Sequence, residues 1–163
     1  MLANKESTVP TAIAFLGFIA VAIFCFIVIK DHVDANKQSS REEEIKEVGE
    51  LPDMRVSVAG HGYVVKSESS KVVAEFLERL PLDVELNDKD GNRKVGLTYY
   101  KYQSEPVKIK KAIAGDVLLE GNSTIIIVTK SFKTGDKYTK LGHIEDLGEL
   151  PSGIVKVRID KAQ

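Results

Sequence analysis

Two aromatic rings and an imidazole, Phe132, Tyr138 and His143, stand within twelve positions of one another, joined by a polar loop that contains Gly135. Residues of these types line ligand pockets, where aromatic walls give contact area and a few polar groups fix orientation. They form the candidate ligand-binding set and are expected to converge on one face of the domain, with no arginine joining them. His143 is the member with acid–base potential. A single histidine with no partner fixed by sequence reads first as a polar loop residue, and second as a ligand or proton-transfer group. His61 is expected in a hairpin turn and His32 falls upstream of the domain, so the three histidines lack metal-ligand spacing.

The remaining motifs have plainer explanations. Asp88-Lys89-Asp90-Gly91-Asn92 resembles part of a calcium loop but lacks the closing Glu, and Asp-Gly is a preferred hairpin pair. Asn122-Ser123-Thr124 fits a glycosylation sequon, but a Gly121-Asn122 turn is the stronger explanation. Lys108, Lys110 and Lys111 read as a solvated edge that discourages sheet-to-sheet pairing. Tyr99 and Tyr100 fit either a pocket mouth or a rim. No Ser/His/Asp order, phosphate-cradling glycine loop or nucleotide fingerprint is present. No catalytic residue, metal site or cofactor is therefore assigned.

Charge narrows the partners. From Asp53 onward 18 basic residues face 16 acidic ones, a balance without the basic footprint of a nucleic-acid binder. Nucleic acid is excluded; a peptide, protein or small-molecule ligand is not. The one cysteine, Cys25, lies outside this region, so the domain has no disulfide and no thiol nucleophile.

The elements that must position the candidate residues are mostly strands. Met54-Arg-Val-Ser-Val-Ala alternates apolar and polar residues, Gly60-His61-Gly62 turns, and Tyr63-Val-Val-Lys returns. Ser69 or Ser70 caps a helix with an apolar stripe at Val72, Val73, Phe76, Leu77 and Leu80, ended by Pro81. Strands follow at Leu82–Leu86, Lys94–Tyr100, Val117–Glu120 and Thr124–Thr129, the last β-branched enough for full burial. Residues 101–112 read as a loop or edge, and the glycine-rich stretch 131–151 as loops with a short turn of helix. Ile154–Ile159 is the last strand. Seven or eight strands and one helix indicate a small closed barrel or sandwich.

Upstream, residues 11–29 carry no charge and are long enough, as a helix of roughly 28 Å, to cross a bilayer's hydrocarbon core. The expected organisation is a tail over 1–10, a transmembrane anchor over 11–30, a charged stalk over 31–52 and the barrel over 53–163. The apolar core exceeds that of a cleaved signal, and Phe24 before Cys25 argues against a lipoprotein. A short N-terminal tail favours a single-pass membrane protein with its domain outside the cytoplasm; positive-inside counting weakly favours the reverse.

Several motifs occur in a familiar order: Leu80-Pro81-Leu82 after the helix, Asp90-Gly91-Asn92, Ala114-Gly115-Asp116-Val117-Leu118-Leu119, Gly121-Asn122, Lys130-Ser131-Phe132, and Tyr138-Thr139-Lys140-Leu141-Gly142-His143-Ile144. Together they resemble the small bacterial cyclophilin-like domain family, over about residues 53–160. The resemblance implies a mainly β fold, a small closed cyclophilin-like barrel with one flanking α-helix, and it leaves function open. True cyclophilins carry an Arg in a Phe-His-Arg-type motif beside a Gln and aromatics, and that motif is absent here. Three functions follow as expectations: a non-enzymatic ligand- or peptide-binding module at the cell envelope, a divergent peptidyl-prolyl isomerase, or a structural partner of another membrane protein.

Overall fold

The computed structural model describes residues 48–162. The expected tail, anchor and nearly all of the stalk lie outside the described residues. Among the described residues no helix is long and apolar enough to cross a membrane.

Alternation dictates the first hairpin. Strands β1 (Met54–Val58) and β2 (His61–Ser67) pair antiparallel with Met54 opposite Val65 and Val58 opposite His61. The turn is Ala59-Gly60, both at positive φ, one position earlier than the glycines of Gly60-His61-Gly62 indicate. A tight hairpin turn of this kind takes positive φ at both central residues, so His61 opens β2 instead of sitting in the turn. Ser70 caps helix α1 (Lys71–Glu78), its side chain accepting from the Val73 amide at 3.2 Å. Val72, Val73, Phe76 and Leu77 form its buried stripe. Pro81, preceded by a cis peptide bond, ends the helical segment, and β3 (Leu82–Lys89) begins at once.

The next strands are β4 (Arg93–Leu97), the short β5 (Val107–Lys108) and β6 (Lys111–Ala112), then β7 (Asp116–Glu120) and β8 (Thr124–Val128). They are followed by the short β9 (Phe132–Lys133), then β10 (Lys137–His143) and β11 (Val155–Lys161). Eight of them close a barrel in the order β2-β1-β11-β3-β4-β8-β7-β10, with β10 returning to β2. β5 adds to the outside of β10, and β6 pairs with β9 as a separate ribbon.

The stretch 131–151 departs from expectation. It holds a seven-residue strand, β10, that closes the barrel. Gly142 explains both the misreading and the closure. A Cβ there would lie 2.4 Å from the Lys66 carbonyl oxygen, so the seam between β10 and β2 admits only glycine. The register also shifts between Lys140 and Gly142, as at a β-bulge, where glycine within a strand marks a close approach.

The β7–β8 pair is apolar on both faces because both are covered. Val117, Leu119, Ile125 and Ile127 point into the barrel, where they meet the helix stripe through Phe76 and Tyr102. Leu118, Ile126 and Val128 point outward and form a second core with Ala112 and Tyr138, flanked by Val95, Ile109 and Phe132. The outer wall of the barrel is thus partly roofed by the 105–114 segment and the β6–β9 ribbon.

Candidate functional site

Asp116 opens β7 on the outward side of the wall, in phase with Leu118 and opposite His143 of β10. Its carboxylate is 7 % exposed and fully engaged. Oδ2 accepts the Ile113 amide at 2.8 Å. Oδ1 lies 3.0 Å from His143 Nδ1 and 3.3 Å from Lys140 Nζ, and Lys140 reaches on to Glu68 at 3.3 Å. A carboxylate only accepts, so Nδ1 carries a proton, and in the neutral imidazole Nε2 is then the acceptor. Among the described residues Nε2 has no hydrogen-bond partner, and the ring is partly exposed. Gly115 makes this arrangement possible. It holds φ +95°, and a Cβ there would fall 2.1 Å from the Ile144 carbonyl oxygen and 3.0 Å from His143 Cε1.

Phe132 and Tyr138 meet at the other candidate position. Tyr138 is 2 % exposed and belongs to the outer core, so its ring is a packed element and not an open wall. Burial raises its hydroxyl pKa above the ordinary tyrosine value. Arg93 joins the two rings, against the expectation that no arginine would. Its guanidinium lies 4.8 Å from the Phe132 ring centroid, donates to the Tyr138 hydroxyl at 3.3 Å and pairs with Asp90. The cause is register: Arg93 opposes Val128 and therefore points to the outer wall, where the β6–β9 ribbon lays Phe132 over it. Arg93 Nε and Asn92 Oδ1 are buried without partners.

The structure therefore brings Phe132 and Tyr138 together through Arg93, while His143 is held by Asp116 further along β10. The partners Asp116 and Arg93 are the residues that sequence reading missed. Each had one signal: an acid at the mouth of an otherwise apolar strand, and a base whose parity in β4 matches Val95, which packs against the outer core.

Two further features complete the inventory. Lys94, opposite the inward-facing Ile127, is almost fully buried, and its ammonium bonds Asp88 Oδ1 and the Gly153 carbonyl, each at 2.7 Å. Asp88 also accepts the Gly153 amide, and these two bonds hold its carboxyl below the usual aspartate pKa, the Lys94 bond foremost. A shallow, open depression of about 460 Å³ on the outside of β1 and β11 is lined by Arg55, Leu80, Pro81, Asp160 and Lys161 and shares no residue with either candidate position. Among the described residues no three His, Cys, Asp or Glu side chains are placed to share a metal ion.

An eight-stranded closed barrel with one helix packed into its core, bearing an oriented histidine on its outer wall, defines a small, mainly β domain of the cyclophilin type. The chain belongs to the cyclophilin-like family, whose model matches residues 56–160. The solution structure of a hypothetical protein from Archaeoglobus fulgidus has a similar fold, with TM-score 0.50 and 15 % identity. The match covers 70 % of this chain and 97 % of that one, and it speaks to fold alone. No curated protein matches the sequence significantly.

Proposed function

We propose that this chain is a membrane-tethered binding module whose ligand is gripped at the His143–Asp116 pair, with its domain outside the cytoplasm. The observation that carries this reading is the imidazole itself: a buried carboxylate fixes its tautomer and leaves Nε2, on a partly exposed ring, without a partner among the described residues. An acceptor held in this way suits a ligand N–H or O–H, as a peptide amide offers. The exposed Ile113 side chain, whose amide anchors Asp116, gives an apolar contact beside it. No hydroxyl or thiol among the described residues is bonded to the imidazole, so binding fits this geometry better than nucleophilic chemistry. Residues 11–29 supply the tether in this reading.

Peptide titration of the ¹⁵N-labelled full chain in detergent micelles tests the proposal, using tetrapeptides with and without proline. Amide shifts should concentrate at 113–116 and 140–144 and vanish in His143→Ala. Shifts elsewhere that survive that substitution would refute it.

One observation favours the isomerase as a second reading. Arg93, set over Phe132 and bonded to Tyr138, is a guanidinium beside aromatics on the outer wall. Catalysed isomerisation of a prolyl peptide that Arg93→Ala abolishes would establish it; a rate equal to buffer would dismiss it.

A further inference from the structure

The turn between β1 and β2 decides where each backbone group of β2 points. Ala59-Gly60 is a two-residue turn, so Val58 and His61 form the first hydrogen-bonded pair of the hairpin. Such pairs alternate along an antiparallel ladder. His61, Tyr63 and Val65 therefore direct their N–H and C=O groups to β1, and Gly62, Val64 and Lys66 direct theirs to the opposite edge. Two bonds outside the ladders agree with this phase. The Glu68 amide donates to the Leu141 carbonyl of β10 at 3.0 Å, and the Ala162 amide donates to the Asp53 carbonyl at 2.8 Å, which turns the odd positions of β1 to β11. β10 meets the edge of β2 only at its own end. Gly142 opposes Ser67, His143 opposes Lys66, and there the pairing stops. The Ile144 amide instead bonds the Gly115 carbonyl at 2.9 Å, and the chain turns at 145–146.

Among the described residues, the outward N–H and C=O groups of Gly62 and Val64 have no backbone partner. Both residues are exposed, Val64 at 48 %. Strand edges are ordinarily blunted by lysine or proline, and positions 61–64 hold neither, whereas the short edge strand β5 carries Lys108. Two donor–acceptor pairs set two residues apart match one kind of partner, an extended backbone. A second copy of the chain fits poorly. A two-fold axis at Tyr63, pairing Gly62 with the copy's Val64, puts the copy's Gly60 opposite Lys66, where His143 already sits. An axis at Gly62 leaves one hydrogen-bonded pair before the hairpin turn intervenes. A free peptide meets neither obstacle, because it needs only the span opposite 62–64. His143 stands at the closed end of this span. Lys66 and Val64 share the outer face of β2, since Val65 between them is buried, and His143 opposes Lys66. A guest residue opposite Val64 then has its side chain on the His143 face, two strand positions or about 7 Å away.

We propose that the ligand of this domain is an extended peptide segment that adds as a strand to the free edge of β2 at Gly62 and Val64, its residue opposite Val64 offering a side-chain donor to His143 Nε2. The inference rests on the binding reading above and names the form of the ligand. Recognition along the backbone is tolerant of sequence, and selection falls on a hydroxyl or amide side chain at one position.

Amide hydrogen exchange of the ¹⁵N-labelled full chain in micelles tests this, with acetyl-Val-Thr-Val-Thr-amide as the probe and its fully N-methylated twin as the control. In the free chain Gly62 and Val64 should exchange fast, while Tyr63 and Val65, bonded to β1, exchange slowly. With about nine-tenths of the chain bound to peptide, exchange through the free tenth should slow Gly62 and Val64 roughly tenfold and leave Tyr63 and Val65 unchanged. The methylated twin should protect neither. His143→Ala should weaken the peptide's affinity several-fold, with Gly62 and Val64 still protected at higher peptide concentration. Shifts at 113–116 and 140–144 without protection at Gly62 and Val64 overturn strand addition and leave the histidine grip standing. Protection at both amides with an affinity that His143→Ala does not change overturns the grip and leaves strand addition standing. Equal binding of the methylated twin overturns strand addition. Protection of Gly62 and Val64 before peptide is added overturns it too, and assigns the edge to a second copy where that protection rises with chain concentration.

Discussion

Asp116→Asn puts the histidine geometry at stake in a single atom. The carboxylate gives Oδ2 to the Ile113 amide at 2.8 Å and Oδ1 to His143 Nδ1 at 3.0 Å. An asparagine has one oxygen. If that oxygen stays on the Ile113 amide, the NH₂ group occupies the Oδ1 position and faces Nδ1 as a donor. The imidazole must then move its proton to Nε2 and accept at Nδ1. If the amide flips, the part-buried Ile113 N–H loses its partner instead. Either way one bond to a charged acceptor is lost, worth about 1.5–3 kcal/mol. The Lys140 contact adds little, because that side chain is substantially exposed and keeps Glu68. With a urea m-value of roughly 1–3 kcal/mol/M, the midpoint should fall by about 1 M. Long-range ¹H–¹⁵N correlation spectra of the imidazole give the tautomer directly. The native chain should show Nδ1–H, and Asp116→Asn should show Nε2–H or a mixture. An unchanged Nδ1–H tautomer together with an unchanged midpoint would refute the claim that Asp116 orients His143.

Two further outcomes follow from the same structure. Asp88 has its pKa depressed by the Lys94 and Gly153 bonds. Its stabilising contribution is therefore complete above the ordinary aspartate value of about 4 and is lost as pH falls through the depressed folded value. Asp88→Asn should accordingly flatten the acid limb of stability against pH, measured by urea midpoints in steps below that value. At Gly115, alanine must hold positive φ, costing roughly 1–3 kcal/mol, and its Cβ would also collide with the Ile144 carbonyl. Gly115→Ala should lower the thermal midpoint and shift the His143 ring resonances, whereas Gly121→Ala, with positive φ but open space around it, should lower the midpoint less and leave those resonances in place.

Strands whose two faces differ were legible from alternation alone. Val155, Val157 and Ile159 are buried and Lys156 and Arg158 exposed, as period two requires. The helix was legible because Ser70, the stripe at 72, 73, 76 and 77, and Pro81 all specify it at once. β10 was not, and the reason is physical. Its glycine is dictated by a neighbouring backbone, the Lys66 carbonyl, which is 76 residues away along the chain. A local reading takes that glycine for a turn; only the closed barrel turns it into a strand position.

The candidate residues divide along the same line. His143 was visible as a type, but its meaning depends on Asp116, 27 residues distant and joined to it by an antiparallel register that no spacing rule encodes. Arg93 follows Asp90-Gly91-Asn92 directly and precedes the expected strand start at Lys94, so nothing local marks it as a strand residue. It is the first residue of β4, and the parity that sends Val95 outward sends Arg93 outward too. Inside the barrel the same strand carries Lys94, whose charge would be costly there without Asp88 and the Gly153 carbonyl. Adjacent cations in one strand thus serve opposite faces, one closing an end of the barrel and the other packing against the aromatics outside. The chemistry of this chain lies in what the outer wall presents: an oriented imidazole on β10 and a guanidinium on β4. Two separate positions on one wall can be tested by two substitutions that leave the barrel interior untouched, and that separability keeps ligand binding and isomerase activity from standing in for one another.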